Sequence, residues 1–489
     1  MYLRTLSHAM RILLRLLGYG FVGSFIALLA VYVYFLENRP DLSVWHRADL
    51  DVEFSVKAGV SDFNQYIELE NRLFAQLDEL VYAKVEQATG NSVNRYSRGS
   101  LSDPERWPVN WNRSFVLDRD EPTAAVLLLH GLSDSPYSMR PLGERLHEAG
   151  AWVLGLRIPG HGTAPSGLVE TRWQDMAAAV RLAARHAAET VGSKPFYIVG
   201  YSNGGALAVE YALSALDDAS LPKPSGIVLL SPEVGVSGMA ALAVWQARLG
   251  HLLGLEKLAW NSVLPEYDPF KYGSFPVNAG DLAHRITTHI QQQLTTLQGT
   301  QGKLDGMPPI LAFQSSVDAT VTPQALVANL FERLPPANHE LVLFDINRAH
   351  VDDALLMQDP RTVFKPLLQS GERGYNLTIV TNERENSRRA AAQSWSRGKV
   401  HPSAPVYLNE WPEDVYSLSH IALPFPPDDP LYGGLAPGPS PGIALGDLAL
   451  RGERGVLRLS GDDRLRLRWN PFFDYMQSRI LRFVQMEQP

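Results

Sequence analysis

The chain has 489 residues, of which 45% are hydrophobic and 20% charged, and its formal net charge is −8. This composition is typical of a globular protein with one large core or two modest ones. Positive and negative charges are interspersed without a basic block, so we expect no nucleic-acid partner. The sequence contains no cysteine, which excludes disulfides, thiolate metal sites and a cysteine nucleophile.

An uncharged run extends from Leu16 to Leu36 near the amino terminus. As a helix it is long enough to cross about 30 Å of hydrocarbon. Arg4, Arg11 and Arg15 precede it, which predicts a cytoplasmic amino terminus and a periplasmic or extracellular location for the rest of the chain. A cleaved signal peptide is the alternative, but the run is too long and ends without small residues. We therefore predict an uncleaved transmembrane signal anchor within residues 1–40.

Residues 41–120 form a predicted amino-terminal extension of mixed polar and aromatic composition. Apolar residues recur at helical spacing from Phe63 to Val85, which predicts one amphipathic helix. The segment Trp111–Leu117 is expected to enter the main sheet as an edge strand.

Short apolar runs alternate with helical patterns from Ala124 onward. This alternation predicts an α/β fold with a mostly parallel sheet covered by helices on both faces. The predicted strands are Ala124–Leu129, Ala151–Leu156, Phe196–Val199, Gly226–Leu230, Ile310–Phe313 and Glu340–Phe344.

The connection between Leu230 and Ile310 is much longer than a normal crossover. It contains an apolar helical pattern, Met239–Leu255, and an aromatic segment, Tyr267–Phe275. Insertions of this kind often cover a site, so we predict a cap at about 235–305, of which residues 235–275 form part of an acyl pocket. Additional packing helices are the alternative.

The carboxyl-terminal part, residues 370–489, has the least regular pattern. Asn376–Thr381 is a candidate strand, and Pro471–Val484 has helical periodicity with proline at its first position. We assign residues 121–489 to one domain with a carboxyl-terminal excursion at about 350–470.

The pentapeptide Gly200–Gly204, with the sequence Gly-Tyr-Ser-Asn-Gly, carries the strongest chemical signal. It lies between a predicted buried strand and a predicted helix, which is the context in which G-x-S-x-G forms a nucleophile elbow. Glycine is needed on both sides because the backbone turns too tightly for side chains there. Ser202 is therefore the predicted nucleophile.

An acyl-transfer nucleophile also needs backbone donors for the oxyanion that forms. A second strand ends in His130-Gly131-Leu132, which places the N–H of Leu132 as the first predicted donor. The N–H of Asn203, directly after the nucleophile, is the second. We expect His130 to hold this loop rather than to act as a base.

Three motifs in this order resemble those of α/β-hydrolases: His130–Pro136, Arg157–Thr163 and Gly200–Gly204. The pattern is most similar to bacterial carboxylesterases and monoacylglycerol lipases, over about residues 120–350. The resemblance implies an acyl-enzyme mechanism with the chain order serine, aspartate, histidine. Such a mechanism requires no metal and no organic cofactor.

Asp318 is the predicted acid of this triad. It follows the strand Ile310–Phe313 in a short turn before a helix start, as in the acid loop of the family. A turn or capping aspartate is the alternative, and Asp345 and Asp305 are weaker candidates.

Two histidines after the acid are candidates for the base. His350 has the spacing of compact family members, but it lies beside Asp352 and Asp353 at a helix start that we predict to be exposed. His420 lies within Val415–Pro427, which contains no charged residue, and such a proline-stiffened loop suits a buried base. Choosing His420 also leaves the final helix in the place that follows the histidine loop in the family. We predict that His420 is the base, which requires an excursion of about 70 residues beyond the compact spacing.

These features together predict a membrane-anchored serine hydrolase of carboxylic esters, with lipid-like esters as plausible substrates. A peptidase or acyltransferase would use the same triad. An aminopeptidase would need carboxylates in the cap to bind a substrate ammonium group, and Glu256 and Glu266 are too few to support that activity. A membrane-tethered scaffold would be expected to have lost a member of the triad or a glycine of the oxyanion hole, and the sequence retains them all.

Overall fold

The structure is a computed structural model, and it describes residues 2–88, 92–235, 256–301, 304–434, 438–446, 461 and 465–486. The predicted helix Met239–Leu255 lies outside these residues, so that part of the expected cap remains a prediction.

A ten-stranded sheet forms the centre of the molecule, with the order β1-β3-β2-β4-β5-β8-β9-β10-β11-β12. Two further strands, β6 and β7, pair with each other as a small antiparallel ribbon. In chain order the strands are β1 (Phe115–Leu117), β2 (Ala124–Leu129), β3 (Ala151–Leu156), β4 (Phe196–Tyr201), β5 (Gly226–Leu230), β6 (Trp260–Ser262), β7 (Phe275–Pro276), β8 (Ile310–Ser315), β9 (Glu340–Phe344), β10 (Asn376–Asn382), β11 (Arg389–Trp395) and β12 (Val406–Glu410).

The sheet is parallel from β3 through β10, and only β1, β11 and β12 join it by antiparallel pairing. The prediction of a mostly parallel sheet is therefore confirmed. β2 is buried along its whole length, as expected for a strand that is covered on both faces.

Helices cover both faces of this sheet, and the side chains of β2 alternate between two cores. Leu127 and Leu129 belong to one core, whereas Val126 and Leu128 belong to the other. The described α-helices are Tyr2–Glu37, Val44–Arg47, Phe63–Leu80, Arg140–Glu148, Gly167–Glu170, Trp173–Val191, Asn203–Asp217, Val277–Gln301, Pro323–Asn329, Arg361–Gln369 and Phe473–Phe483.

The helix Val277–Gln301 falls within the expected cap but packs in the body of the fold. Its residues Leu282, Ile286 and Ile290 are buried in the same core as the helix Asn203–Asp217. Within the described residues, the part of the insertion that remains available to cover a site therefore precedes residue 277.

Two strands in the carboxyl-terminal part were not predicted. β11 contains three consecutive alanines, which favour helix over strand. It is a strand because β10 supplies its backbone partners, and Thr378 and Ser394 also join their hydroxyl groups across the pair at 2.8 Å. β12, with the sequence Val-Tyr-Leu-Asn-Glu, is short and largely exposed at the sheet edge, so it lacks the continuous buried apolar run by which the central strands were predicted.

Two predicted elements of the amino-terminal extension are shorter than expected. The amphipathic helix ends at Leu80, and a 3₁₀ turn, Tyr82–Lys84, replaces its predicted last turn. The edge strand begins at Phe115 rather than at Trp111.

Arg157, which follows β3, forms ion pairs with the amino-terminal extension, residues 41–120. Its guanidinium binds the carboxylate of Glu53 through two nitrogens, at 3.0 and 2.9 Å, and that of Glu70 at 3.1 Å. The hydroxyl of Tyr66 donates to the Arg157 carbonyl at 2.5 Å. Bidentate pairing of buried charges is geometrically specific, so these contacts fix the position of the extension at Glu53, Tyr66 and Glu70 against the end of β3.

The amino-terminal helix Tyr2–Glu37 contains one segment apolar enough to cross a membrane, Leu14–Val31, with a mean hydropathy of 1.8. None of this segment is buried in the protein. Immediately after the helix, Arg39 donates to the carbonyl of Trp260 at 2.6 Å. The chain directly after the helix is therefore bound to the first residue of β6 in the small ribbon.

Candidate active site

Ser202 lies at a sharp turn between β4 and the helix that begins at Asn203. Its φ is +51°, a left-handed conformation that is strained for a residue with a side chain. A Cβ atom on Gly200 would lie 2.3 Å from the Gly204 carbonyl oxygen, and one on Gly204 would lie 2.2 Å from that of Leu129. Both flanking glycines are therefore required by close backbone contacts.

Ser202, His420 and Asp318 form one hydrogen-bonded chain. His420 Nε2 lies 3.0 Å from Ser202 Oγ, and His420 Nδ1 lies 2.8 Å from Asp318 Oδ2. All three residues are buried. In this geometry the imidazole can accept the serine proton at Nε2 while the carboxylate holds the opposite nitrogen.

The loop that carries His420 is held at several backbone positions. Ser315 at the end of β8 donates its hydroxyl to the Leu418 carbonyl at 2.9 Å, and the Asn347 N–H donates to the Tyr416 carbonyl at 2.7 Å. The Tyr201 hydroxyl reaches the His420 carbonyl at 3.4 Å. His350, the alternative base, is exposed and does not join this cluster.

Asp318 is oriented by four groups. Its Oδ1 accepts the N–H groups of Thr320 and Val321 at 2.8 and 3.0 Å, and its Oδ2 accepts from the Gln314 amide at 3.0 Å as well as from His420. Burial alone would raise the pKa of Asp318, but the charge of His420 and these hydrogen bonds outweigh burial and lower it. The carboxylate is therefore ionised over the neutral pH range.

The two weaker candidates for the acid lie elsewhere. Asp345 forms a two-point ion pair with Arg348, at 2.7 and 3.0 Å. Asp305 is exposed. No role was predicted for Gln314 from sequence. Its position on β8, four residues before Asp318, is the sequence feature that indicates a contact with the acid.

The backbone N–H groups of Leu132 and Asn203 are free to receive an oxyanion. Asn203 is the first residue of its helix, where N–H groups have no partner within the helix. Over the described parts of the chain, neither N–H group has an acceptor. The helix amino terminus adds a partial positive charge at this point.

His130 holds the loop that carries Leu132. Its Nε2 accepts the Ile158 N–H at 3.0 Å, and its Nδ1 donates to the Gly131 carbonyl at 2.8 Å. Burial, aided by the neighbouring His161, lowers the pKa of His130 far below its usual value. A neutral imidazole with both nitrogens engaged has a structural role, as expected from sequence.

The described ranges contain no cluster of three or more histidine, cysteine, aspartate or glutamate side chains that could bind a metal ion.

A serine at a strand–turn–helix elbow, above a mostly parallel sheet with helices on both faces, defines the α/β-hydrolase class. The model of the family described as "Serine aminopeptidase, S33" matches residues 120–348. That match ends before His420. The chain has the α/β-hydrolase fold, and its sequence resembles those of esterases and monoacylglycerol lipases.

A thermostable monoacylglycerol lipase from Bacillus sp. (strain H-257) is 28% identical over 202 residues, covering 40% of this chain and 72% of that protein. A solved structure from a study of two metagenome-derived lipolytic enzymes is 23% identical, with a TM-score of 0.38, and the match covers 48% of this chain and 87% of that one. The monoacylglycerol lipase of Paleococcus ferrophilus is 21% identical, with a TM-score of 0.36, over 47% of this chain and 88% of that one.

Proposed function

We propose that this protein is a serine hydrolase that cleaves carboxylic esters. The observation that carries the proposal is the unbroken hydrogen-bonded chain from Ser202 Oγ through His420 to Asp318, at 3.0 and 2.8 Å. The sequence similarity to a monoacylglycerol lipase supports an ester rather than another acyl substrate.

In the proposed reaction, Ser202 Oγ attacks the acyl carbonyl while His420 Nε2 takes the serine proton. The carbonyl oxygen becomes an oxyanion that accepts from the N–H groups of Leu132 and Asn203. When the ester C–O bond breaks, His420 returns the proton to the departing alcohol oxygen. Water then attacks the acyl-enzyme by the same route, and Asp318 stabilises the imidazolium in both steps.

The proposed location is a membrane, with the helix Tyr2–Glu37 as a single span, a cytoplasmic amino terminus and the hydrolase on the periplasmic or extracellular side. The exposed apolar segment Leu14–Val31 supports this interpretation. The proposed units are residues 1–40 as anchor, 41–120 as extension and 121–489 as hydrolase. A tether beside a bilayer favours lipid-like esters as substrates.

A peptidase is the second candidate, because one observation favours it. Glu233 follows β5, and its N–H donates to the Ser202 carbonyl at 3.0 Å. Burial raises the pKa of Glu233 to about 7. Its Oε2 is buried and has no partner in the part of the chain that the structure describes. A carboxylate there could hold the ammonium group of a peptide substrate, consistent with the family description "Serine aminopeptidase, S33".

Glu266 and Glu256, the two carboxylates considered from sequence, are poorly suited to bind a substrate ammonium group. Glu266 accepts the N–H groups of Gly273 and Ser274, at 2.9 and 2.8 Å, so its oxygens are occupied. Glu256 pairs with Arg47 at the surface.

The test compares p-nitrophenyl butyrate with alanine and proline p-nitroanilides, using the full chain in detergent and its Ser202→Ala variant as the control. We expect ester hydrolysis that disappears in the variant, and labelling of Ser202 by a fluorophosphonate. Anilide hydrolysis without ester hydrolysis would establish the peptidase instead. Failure of Ser202 to react with either substrate or with the probe would favour the scaffold.

The membrane proposal is tested separately by fractionation. The full chain should remain in the membrane pellet after alkaline carbonate extraction, and a chain that begins at residue 41 should not. Release of the full chain into the supernatant would contradict the proposed span.

A further inference from the structure

The chain enters the body of the hydrolase almost directly after the amino-terminal helix. The helix ends at Glu37, and both the backbone N–H and the side-chain amide of Asn38 still donate to the Tyr34 carbonyl, at 3.2 and 2.7 Å. The next residue, Arg39, already binds the Trp260 carbonyl at 2.6 Å. Because consecutive Cα atoms are about 3.8 Å apart, the backbone of Arg39 lies within about 8 Å of the helix end.

Residues 39–47 and residues 256–274 bind each other, and we call this contact the juxtamembrane clamp. At its beginning, Lys257 Nζ donates to the Arg39 carbonyl at 3.1 Å and pairs with the Asp41 carboxylate at 2.9 Å.

The other end of the juxtamembrane clamp is buried. The His46 Nε2 atom lies 2.9 Å from the Ser274 hydroxyl oxygen, and the imidazole packs edge-on against the Trp260 ring, with 4.8 Å between the ring centroids. All three residues are buried. Contacts at both ends of the clamp therefore restrict the orientation of the body relative to the end of the helix.

The juxtamembrane clamp lies at the carboxyl edge of the sheet, the edge that also carries Ser202. The Trp45 carbonyl accepts the N–H of Ser166, in the connection after β3, at 3.4 Å. From the other half of the clamp, the Tyr272 N–H donates to the Ser133 carbonyl, in the connection after β2, at 2.8 Å. β2 and β3 run parallel to β4, which ends one residue before the nucleophile, so these connections leave the sheet at the same edge.

The length of the helix determines where the juxtamembrane clamp begins relative to a bilayer. With this helix as the proposed span, the segment Leu14–Val31 covers about 27 Å, close to the thickness of the hydrocarbon core. The remaining residues to Glu37 add about 9 Å, slightly more than the depth of one headgroup layer. The clamp therefore begins at the membrane surface.

Exposed apolar side chains lie in another connection at the carboxyl edge. Met357 is 105% exposed, the highest value for a large apolar side chain in the described part of the chain, and Leu355 is 80% exposed. Both follow β9, which is parallel to its neighbour β8. The nearby carboxylates of Asp353 and Asp359 are paired with Arg361. Apolar side chains on such a rim are suited to the interfacial layer of a membrane.

We propose that the juxtamembrane clamp holds the carboxyl edge of the sheet against the bilayer, so that the ester reaches Ser202 from the membrane. Leu355 and Met357 form a second membrane contact, on the opposite side of β4 from the clamp. This inference rests on the proposed ester hydrolysis and the proposed span, and it narrows the substrate class to esters that partition into a bilayer.

The first experiment locates this edge relative to the membrane. The chain contains no cysteine, so a single introduced cysteine can carry a nitrobenzoxadiazole fluorophore on the full chain in phosphatidylcholine vesicles. Leu264→Cys, within the juxtamembrane clamp, and Met357→Cys place the label on the proposed membrane side. Val400→Cys is the control, because Val400 is 47% exposed, as against 46% for Leu264. It follows β11, which runs antiparallel to β10 and therefore ends at the opposite edge of the sheet.

We expect a lipid with a nitroxide on its headgroup to quench the labels at positions 264 and 357 at least threefold more strongly than the label at position 400. A smaller difference at either position would overturn the proposed placement. Because this readout does not depend on catalysis, that result would leave the proposed ester hydrolysis standing. A full chain that does not insert into the vesicles would overturn both the placement and the proposed span.

The second experiment tests entry of the ester from the membrane. A flexible Gly/Ser linker of about 20 residues, which spans roughly 25 Å on average, is inserted between Asn38 and Arg39. This insertion leaves the juxtamembrane clamp intact and separates it from the helix. The matched control carries the same linker before Tyr2, at the other end of the helix. The kcat/KM values for 1-monooleoylglycerol and for the water-soluble p-nitrophenyl butyrate are measured in the same vesicles.

We expect the linker after Asn38 to lower the ratio of monooleoylglycerol to butyrate kcat/KM by fivefold or more. The linker before Tyr2 should leave that ratio within twofold of wild type. A ratio that is unchanged by the linker after Asn38, or a wild type that cleaves only the butyrate, would overturn entry from the membrane while the proposed ester hydrolysis stands. A wild type that cleaves neither ester would overturn the proposed function itself.

Discussion

His420 Nε2 lies 3.0 Å from Ser202 Oγ although 218 positions separate the two residues in the chain. The strand directions explain how the chain returns. β10 runs parallel to β9, β11 runs back, and β12 runs forward again, so β12 ends at the same edge of the sheet as β8. A pair of added antiparallel strands therefore brings the histidine loop back to the carboxyl edge, where Ser202 and Asp318 already lie.

The two histidines that compete for the role of base are expected to differ sharply on substitution. His420→Ala removes the proton acceptor, and loss of a triad member costs about 10⁴-fold or more in kcat. His350→Ala changes an exposed side chain and should leave kcat within about twofold. The measurement is steady-state hydrolysis of p-nitrophenyl butyrate by both variants. A loss confined to His350→Ala would show that the active enzyme uses the compact arrangement.

Gly204 and Gly280 provide a matched test of the elbow. Gly204→Ala would place its Cβ atom 2.2 Å from the Leu129 carbonyl oxygen, whereas Gly280 has nothing within 4 Å. We expect Gly204→Ala to destabilise the fold by about 3 kcal/mol or more and to abolish activity. Gly280→Ala, within a helix, should stabilise by up to about 1 kcal/mol. Urea midpoints measure both, and a Gly204→Ala midpoint equal to wild type would refute the steric argument.

Arg157 is expected to be the main electrostatic contact between the extension and the sheet. Arg157→Met leaves the carboxylates of Glu53 and Glu70 without their partner, which should cost about 3–5 kcal/mol. Arg145→Met removes an exposed pair with Glu148 and should change stability by less than about 1 kcal/mol. Equal urea midpoints for the two variants would mean that the buried pairing contributes little.

His46 is expected to make the protein less stable as the pH falls. Burial, with a smaller contribution from Arg47, lowers its pKa to about 4, against about 6.5 in the unfolded chain. The unfolded state therefore binds more protons between these values, and stability that is present above pH 6.5 is lost as the pH falls toward 4. At pH 5 the loss from this one group is about 2 kcal/mol.

The contribution of His46 is measured as a difference between a variant and wild type. This is necessary because Asp134 and Glu233 have raised pKa values and therefore increase the stability of the fold as the pH falls. Unfolding free energies are measured at pH 7.5 and pH 5.0. Between pH 7.5 and pH 5.0, the unfolding free energy of wild type should fall by about 2 kcal/mol more than that of His46→Asn. His401→Asn, at an exposed position, should match wild type. Identical changes in His46→Asn and wild type would contradict the prediction.

Local sequence patterns were sufficient for the central sheet and for the elbow. Fully buried parallel strands are nearly continuous apolar runs, so Ala124–Leu129, Ala151–Leu156 and Gly226–Leu230 were predicted with the bounds that the structure has. The elbow was recognisable because its spacing and its flanking strand and helix form a local pattern. The contact that requires Gly200 is also local, with the Gly204 carbonyl, whereas the contact that requires Gly204 comes from Leu129 at the end of the neighbouring strand β2.

Tertiary structure decided the features whose causes lie far away in sequence. The alanines of β11 form a strand because β10 offers unpaired backbone groups, and β12 pairs with β11 at the sheet edge although most of its residues are exposed. The hydrogen bonds of His420 to Ser202 and Asp318 depend on the return of that loop, which no local pattern specifies. The same holds for the segment between β6 and β7, where the Tyr272 N–H donates to the Ser133 carbonyl at 2.8 Å, a contact that no local pattern specifies.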